Sequence, residues 1–133
     1  MPAVFVDTSA WFALYVPDDQ DHPTAVEWYE ANNHPLLTTD YVIDELLTLL
    51  RFRGERRRSI EVARDLIEIL DIRIERITPA DFDVAVELFQ RFQDKLWSFA
   101  DCTSRVVMER LGTIQAFSFD EHLRQFGTVT VVP

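Results

Sequence analysis

The sequence predicts an α/β fold, with a central, mostly parallel β-sheet flanked by helices on both faces. Three observations lead there. Short runs of β-branched and aromatic residues alternate with longer segments of helical periodicity. The 133 residues, 47% of them hydrophobic, suit one domain with a proper core. No Gly/Ser linker, repeat or low-complexity tract interrupts the chain, so residues 1–133 are expected to form a single domain.

In chain order, AVFV (3–6) reads as the first strand and is followed by a helical segment at 8–16 and another at 22–32. PLLTT (35–39) is the second strand, and helical periodicity resumes over 40–53 and 56–70. IRIERI (72–77) is the third strand, with helices at 79–94 and 99–111 after it. GTIQAFSF (112–119) and TVTVV (128–132) supply the last two strands. Gly54, Gly112 and Gly127 each follow a helical pattern, where a C-terminal cap needs a left-handed residue. That leaves no glycine to line a phosphate. With neither GxGxxG nor GxxxxGK[ST] in the chain, dinucleotide-binding and P-loop folds are excluded.

Composition narrows the function classes. The N-terminal apolar stretch lacks a basic leader, is broken by Asp7 and falls short of the roughly 20 residues of a spanning helix. No membrane association is expected, and a soluble cytoplasmic protein is the default. The single cysteine, Cys102, forms no internal disulfide and no CxxC metal clip. His22, His34 and His122 have no zinc-ligand spacing. Net charge is −10, with twelve Arg against one Lys, Lys95. Bulk electrostatics repel nucleic acid, so any binding of it must be local, and RFRGERRR (51–58) is the strongest candidate.

Ligands of parallel α/β sheets bind beyond the carboxyl ends of the strands. Asp7 ends the first strand and Asp120 ends GTIQAFSF, so the fold brings both to one edge. Each also reads as a helix cap, Asp7 for TSAWFALYV and Asp120 for EHLRQF. Asp101 stands three residues after Ser98, in the pattern of a capping box, at a helix N-terminus that tolerates negative charge. Glu45 differs. At about 100° per residue it falls inside the apolar arc of its helix, whereas its neighbour Asp44 lies in a polar sector. A carboxylate on a buried face needs a partner, either a cation or an arginine.

Two carboxylates about 4 Å apart repel by roughly 4 kcal/mol at an effective dielectric near 20. Four converging acids therefore need a cation or protons. No lysine cluster is present, and all-oxygen ligation favours Mg²⁺ or Mn²⁺. Such a site polarises a phosphoryl oxygen and acidifies water, which is equipment for phosphodiester hydrolysis.

VDTSAW, YVIDELLTLL, FADCTSRVVMERLG and FSFDEHL together resemble the PIN-domain ribonucleases, in particular the VapC-type toxins of toxin–antitoxin pairs. The likeness runs from the first strand to the last, and a PIN-like sheet is what it implies. It further implies that Asp7, Glu45, Asp101 and Asp120 are the acidic quartet of a Mg²⁺ site, with Ser9 and Ser118 as supporting hydroxyls. Endonucleolytic cleavage of RNA, a homodimer and inhibition by a cognate antitoxin are implied as well. Leu123 departs from the family's usual Phe, a change of packing that leaves the acids untouched. The charge of −10 is more acidic than an RNA-binding surface leads one to expect.

Rival chemistries fare worse. A haloacid dehalogenase needs a second Asp two residues after the first, where Ser9 stands, and a receiver domain needs an acidic pair and a Lys after its last strand. The remaining rival is a catalytically silent PIN-fold module that binds RNA or a protein. Arg56, Arg57 and Arg58 open a helix, where positive charge opposes the dipole. They read either as a solvated face or as contacts to RNA phosphates or to the antitoxin.

Overall fold

The computed structural model describes residues 2–133. Its five strands are β1 (Val4–Val6), β2 (Leu36–Thr39), β3 (Arg73–Glu75), β4 (Gln115–Phe117) and β5 (Thr130–Val132). They form one sheet in the order β3-β2-β1-β4-β5, and every pairing is parallel rather than most of them. Phe5 of β1 pairs with Leu37 on one side and Ala116 on the other, so β1 is the central strand. The three inner strands are almost wholly buried and the two edge strands are half-exposed, as their apolar content requires.

The helices are α1 (Thr8–Tyr15), α2 (His22–Ala31), α3 (Asp40–Phe52), α4 (Arg56–Arg64), α5 (Pro79–Arg91), α6 (Phe99–Leu111) and the single turn α7 (Glu121–Arg124). The chain steps outward from β1 to β2 to β3, then crosses to β4 and steps the other way to β5. Right-handed crossovers therefore put α1 to α4 on one face and α5 to α7 on the other. Packing agrees: α1 lies against α2 and α3, α3 against α4, and α6 against α5 and α7. The reversal between β1 and β4 opens a crevice at their carboxyl ends, the usual place for a ligand in such a sheet.

Several predicted boundaries contract for local reasons. The run 112–119 becomes a strand only at Gln115, because Gly112 (φ 67°) closes α6 and Thr113 N–H bonds back to Met108. IRIERI ends early because Ile77 N–H donates to the Asp40 carboxylate instead of extending the ladder. The helix expected over 56–70 passes into a π-helical turn at Asp65–Ile69.

Trp11, Phe5, Phe117, Leu37, Leu46 and Leu50 are fully buried and fill the space between sheet and helices. Leu123 is buried too, so the shorter side chain is accommodated in the core. A polar lock holds β3, α5 and α6 together. Arg110 grips Asp81 with two hydrogen bonds of 2.9 Å and reaches Glu75 at 3.0 Å. Asp81 also closes the α5 capping box with Thr78. No helix among the described residues is long and apolar enough to cross a membrane.

Candidate active site

Asp7 leaves β1 and occupies the N-cap position of α1, but its side chain makes no capping bond. Its carboxylate turns across the crevice instead. Oδ2 accepts from Ser118 Oγ at 2.9 Å and from Ser9 Oγ at 3.2 Å. The two serines are themselves 3.2 Å apart. Backbone N–H groups of Phe119 and Asp120 donate to Ser9 and Ser118 respectively, so the hydroxyls stitch the segment after β4 to the start of α1. Asp7 N–H completes the seam by donating to the Phe117 carbonyl at 3.0 Å.

Asp101 and Asp120 do act as caps, and each does more. Asp101 completes a capping box with Ser98, its Oδ2 taking the Ser98 N–H at 2.9 Å. The same oxygen lies 2.9 Å from His122 Nδ1. An ionised carboxylate has no proton to give, so the ring nitrogen donates. Asp120 caps α7, with Oδ1 accepting from the His122 backbone N–H at 2.9 Å.

Glu45 differs from the sequence expectation. It is half-buried at the border of the α3 apolar face, which is formed by Val42, Ile43, Leu46 and Leu50. Its partner is no arginine. Thr8 Oγ1 donates to Oε1 at 2.6 Å, tying α3 to the first residue of α1. Asp44 is exposed as expected, although it lines the same groove between α3 and α6 as Glu45, Tyr41 and Phe99.

A common pattern emerges across the four acids. In each, one oxygen is engaged by a protein donor while the other makes no side-chain hydrogen bond among the described residues. Electrostatics add to this. Burial, followed by the charge of Asp101, pushes the Asp7 carboxyl up to about 7; the Ser118 hydroxyl and the Thr8 backbone pull it down and Asp120 pushes it further up. Burial also raises Asp101, against the lowering bonds from Ser98 and His122, and Asp120 adds to the rise. Asp7, Asp101 and Asp120 thus share one patch of unrelieved negative potential.

The acids do not close on a single point. Among the described residues no three His, Cys, Asp or Glu side chains stand close enough to hold one ion together. The expected quartet is therefore spread along one edge rather than gathered on one point. The donor set nevertheless suits a hard divalent ion: every ligand is an oxygen, and each acid keeps one oxygen available.

Two contributors were not legible as site residues. Thr8 orients Glu45, and His122 touches both Asp101 and Asp120. The signal for His122 was its place two residues after an acid at the carboxyl edge of the sheet. The arginine trio divides. Arg58 bonds Glu55 at 3.0 Å and the Tyr15 carbonyl at 2.8 Å, a structural duty, whereas Arg56 and Arg57 are exposed.

The PIN-domain family model matches residues 4–129. The 23S rRNA-specific endonuclease VapC20 of Mycobacterium tuberculosis is 32% identical over 130 residues, which span 98% of both chains. The crystal structure of VapC20, described as a sarcin–ricin loop cleaving toxin, superposes with a TM-score of 0.89 over 98% of this chain and 99% of that one. FitAcB of Neisseria gonorrhoeae superposes with a TM-score of 0.70 at 13% identity, over 98% of this chain and 96% of that one, a likeness of fold alone.

Proposed function

The chain belongs to the PIN-domain family, and on that premise we propose that it is a metal-dependent endoribonuclease, the toxin of a type II toxin–antitoxin pair. The single observation that carries the site assignment is Asp7. Its carboxylate is buried within reach of the charges of Asp101 and Asp120, held by two serines and pushed up to about 7. A carboxylate placed at such cost has a use beyond capping, since the cap bond is not made.

Asp7, Asp101 and Asp120 would face Mg²⁺, or Mn²⁺ in its place, one or two of them binding it directly and the rest through its water shell, with Glu45 at the groove side of the site. The ion supplies Lewis acidity toward a phosphodiester oxygen and acidifies water. The chain's own residues do the positioning. Ser9 and Ser118 fix the rotation of Asp7 and leave Oδ1 available. Ser98 and His122 do the same for Asp101, leaving its Oδ1. Glu45, anchored by Thr8 through Oε1, keeps Oε2 to accept a proton from the attacking water.

RNA of the large ribosomal subunit is the substrate class that the VapC20 likeness recommends testing first. With a net charge of −10, the protein must hold RNA through local cations, and Arg56 and Arg57 are the exposed members of the trio that opens α4. A homodimer, a small cognate antitoxin and a cytoplasmic location complete the reading. The test is to induce the chain in cells and map new 5′ ends across total RNA. A discrete cut in ribosomal RNA supports the assignment. An unchanged RNA population, with RNA or a protein still bound, favours the silent binding module instead.

A further inference from the structure

We propose that His122 is a positioning residue of this nuclease site: its ring and backbone together hold Asp101 and Asp120 so that each presents one oxygen to the cation. The inference rests on the metal-dependent reading above and adds a residue to it. His122 Nδ1 lies 2.9 Å from Asp101 Oδ2 and 3.5 Å from Asp120 Oδ1, while its backbone N–H donates to Asp120 Oδ1 at 2.9 Å. One residue thereby touches two acids that come from different elements and are 19 positions apart in sequence.

The two contacts have separable origins. The backbone N–H caps α7 whatever side chain stands at position 122, so the bond to Asp120 is a property of the turn. The bond to Asp101 exists only because of the ring. Without it, Asp101 Oδ2 keeps a single donor, Ser98 N–H, and the carboxylate is freer to turn about its own axis. With it, two donors meet on one oxygen, which fixes the plane of the carboxyl and leaves Oδ1 as the ligand. The ring N–H also lies between two carboxylates that repel each other.

The seat of the ring is firm. His122 is the second residue of the one-turn α7, whose next residue, Leu123, is fully buried, and Phe126 packs against Trp97 at the turn's exit. The His122 side chain is 28% exposed, so its far edge reaches solvent and truncating it opens no core cavity. Truncation is therefore expected to leave the fold intact.

The experiment measures Mn²⁺ uptake by the intact chain without RNA, from the loss of the free-ion EPR signal, for wild type, Asp7→Asn, His122→Ala and His122→Asn. Asparagine places an amide N–H close to where Nδ1 sits and restores the donor to Asp101. His122→Ala is expected to bind Mn²⁺ about tenfold or more weakly, with an unchanged melting temperature, and His122→Asn to bind it much as wild type does. RNA cleavage by His122→Ala should recover at high Mn²⁺. Wild-type affinity in His122→Ala, or equal weakness in the Ala and Asn variants, overturns the inference while Asp7→Asn still reports on the metal site. A wild-type chain that takes up no Mn²⁺ overturns both.

Discussion

Ser118 Oγ donates to Asp7 Oδ2 at 2.9 Å across 111 residues of sequence, and this bond turns the carboxylate of an N-cap aspartate toward the segment after β4. At the start of α1 the side chain had two choices, the free N–H groups of its own helix or the hydroxyls arriving from beyond β4. The parallel pairing of β1 with β4 brings the second set within reach, and the carboxylate takes it. The cost is a buried charge close to Asp101 and Asp120, which is why Asp7 titrates near neutrality.

Metal-free stability should accordingly depend on pH through Asp7. Its folded value, about 7, lies above the ordinary 3.8, so between those values the folded chain binds more protons than the unfolded one. The stability this group contributes is full below the lower value and is lost as pH rises through the upper one. With chelator present, wild type should lose stability relative to Asp7→Asn as pH is raised from about 5 to about 8. Parallel melting curves for the two proteins across that window would show that Asp7 carries no such burden.

Glu45 and Asp44 are adjacent and line one groove, yet they should behave differently. Glu45→Gln is expected to lower RNA cleavage by about a hundredfold or more, because its carboxylate is anchored toward α1 by Thr8. Asp44→Asn, at an exposed position, should cleave at close to the wild-type rate. Equal rates for the two variants in single-turnover assays would remove Glu45 from the site.

The arginine cluster makes two predictions rather than one. Arg56→Gln with Arg57→Gln should weaken RNA binding and flatten its salt dependence by roughly 0.7 per lost contact, with stability unchanged. Arg58→Gln should instead cost on the order of 1 kcal/mol of stability through the Glu55 and Tyr15 bonds. Filter binding across a salt series and urea denaturation measure the two effects. An unchanged salt slope in the double variant would reduce Arg56 and Arg57 to surface.

Arg110→Ala should destabilise the fold by about 3 kcal/mol, since it strands the buried Asp81 charge. Burial alone would push Asp81 up, but the Arg110 and Thr78 bonds together outweigh it and hold the carboxyl below the usual range. Adding Asp81→Asn to that variant should recover part of the loss in urea titrations. Because this lock lies between β3, α5 and α6, cleavage per folded molecule should not change.

Much of this architecture was legible because its causes are local. Alternating β-branched runs and helical segments specify strands, helices and their order, and Gly112 marks where α6 must stop. The capping box at Ser98 and Asp101 was readable from spacing alone. What escaped depends on distance. Periodicity gives the direction of Glu45 around α3 but not the threonine that meets it, and that threonine lies 37 residues away. Nothing local distinguishes Asp7, which does not cap, from Asp120, which does, since Ser118 decides the matter from another strand. His122 stood in the FSFDEHL motif, but its contact with Asp101 was not legible there because it depends on a ring reaching α6.

The central claim is that Asp7, Asp101 and Asp120 act together through a divalent ion to cut RNA. Its most direct test is single-turnover cleavage of ribosomal RNA by purified chain, titrated with Mg²⁺ after chelation, for wild type and for Asp7→Asn, Asp101→Asn and Asp120→Asn. The account predicts cleavage that appears with Mg²⁺ in wild type and is abolished in all three folded variants. Cleavage that persists in chelator, or that survives at the wild-type rate in Asp7→Asn, would contradict it.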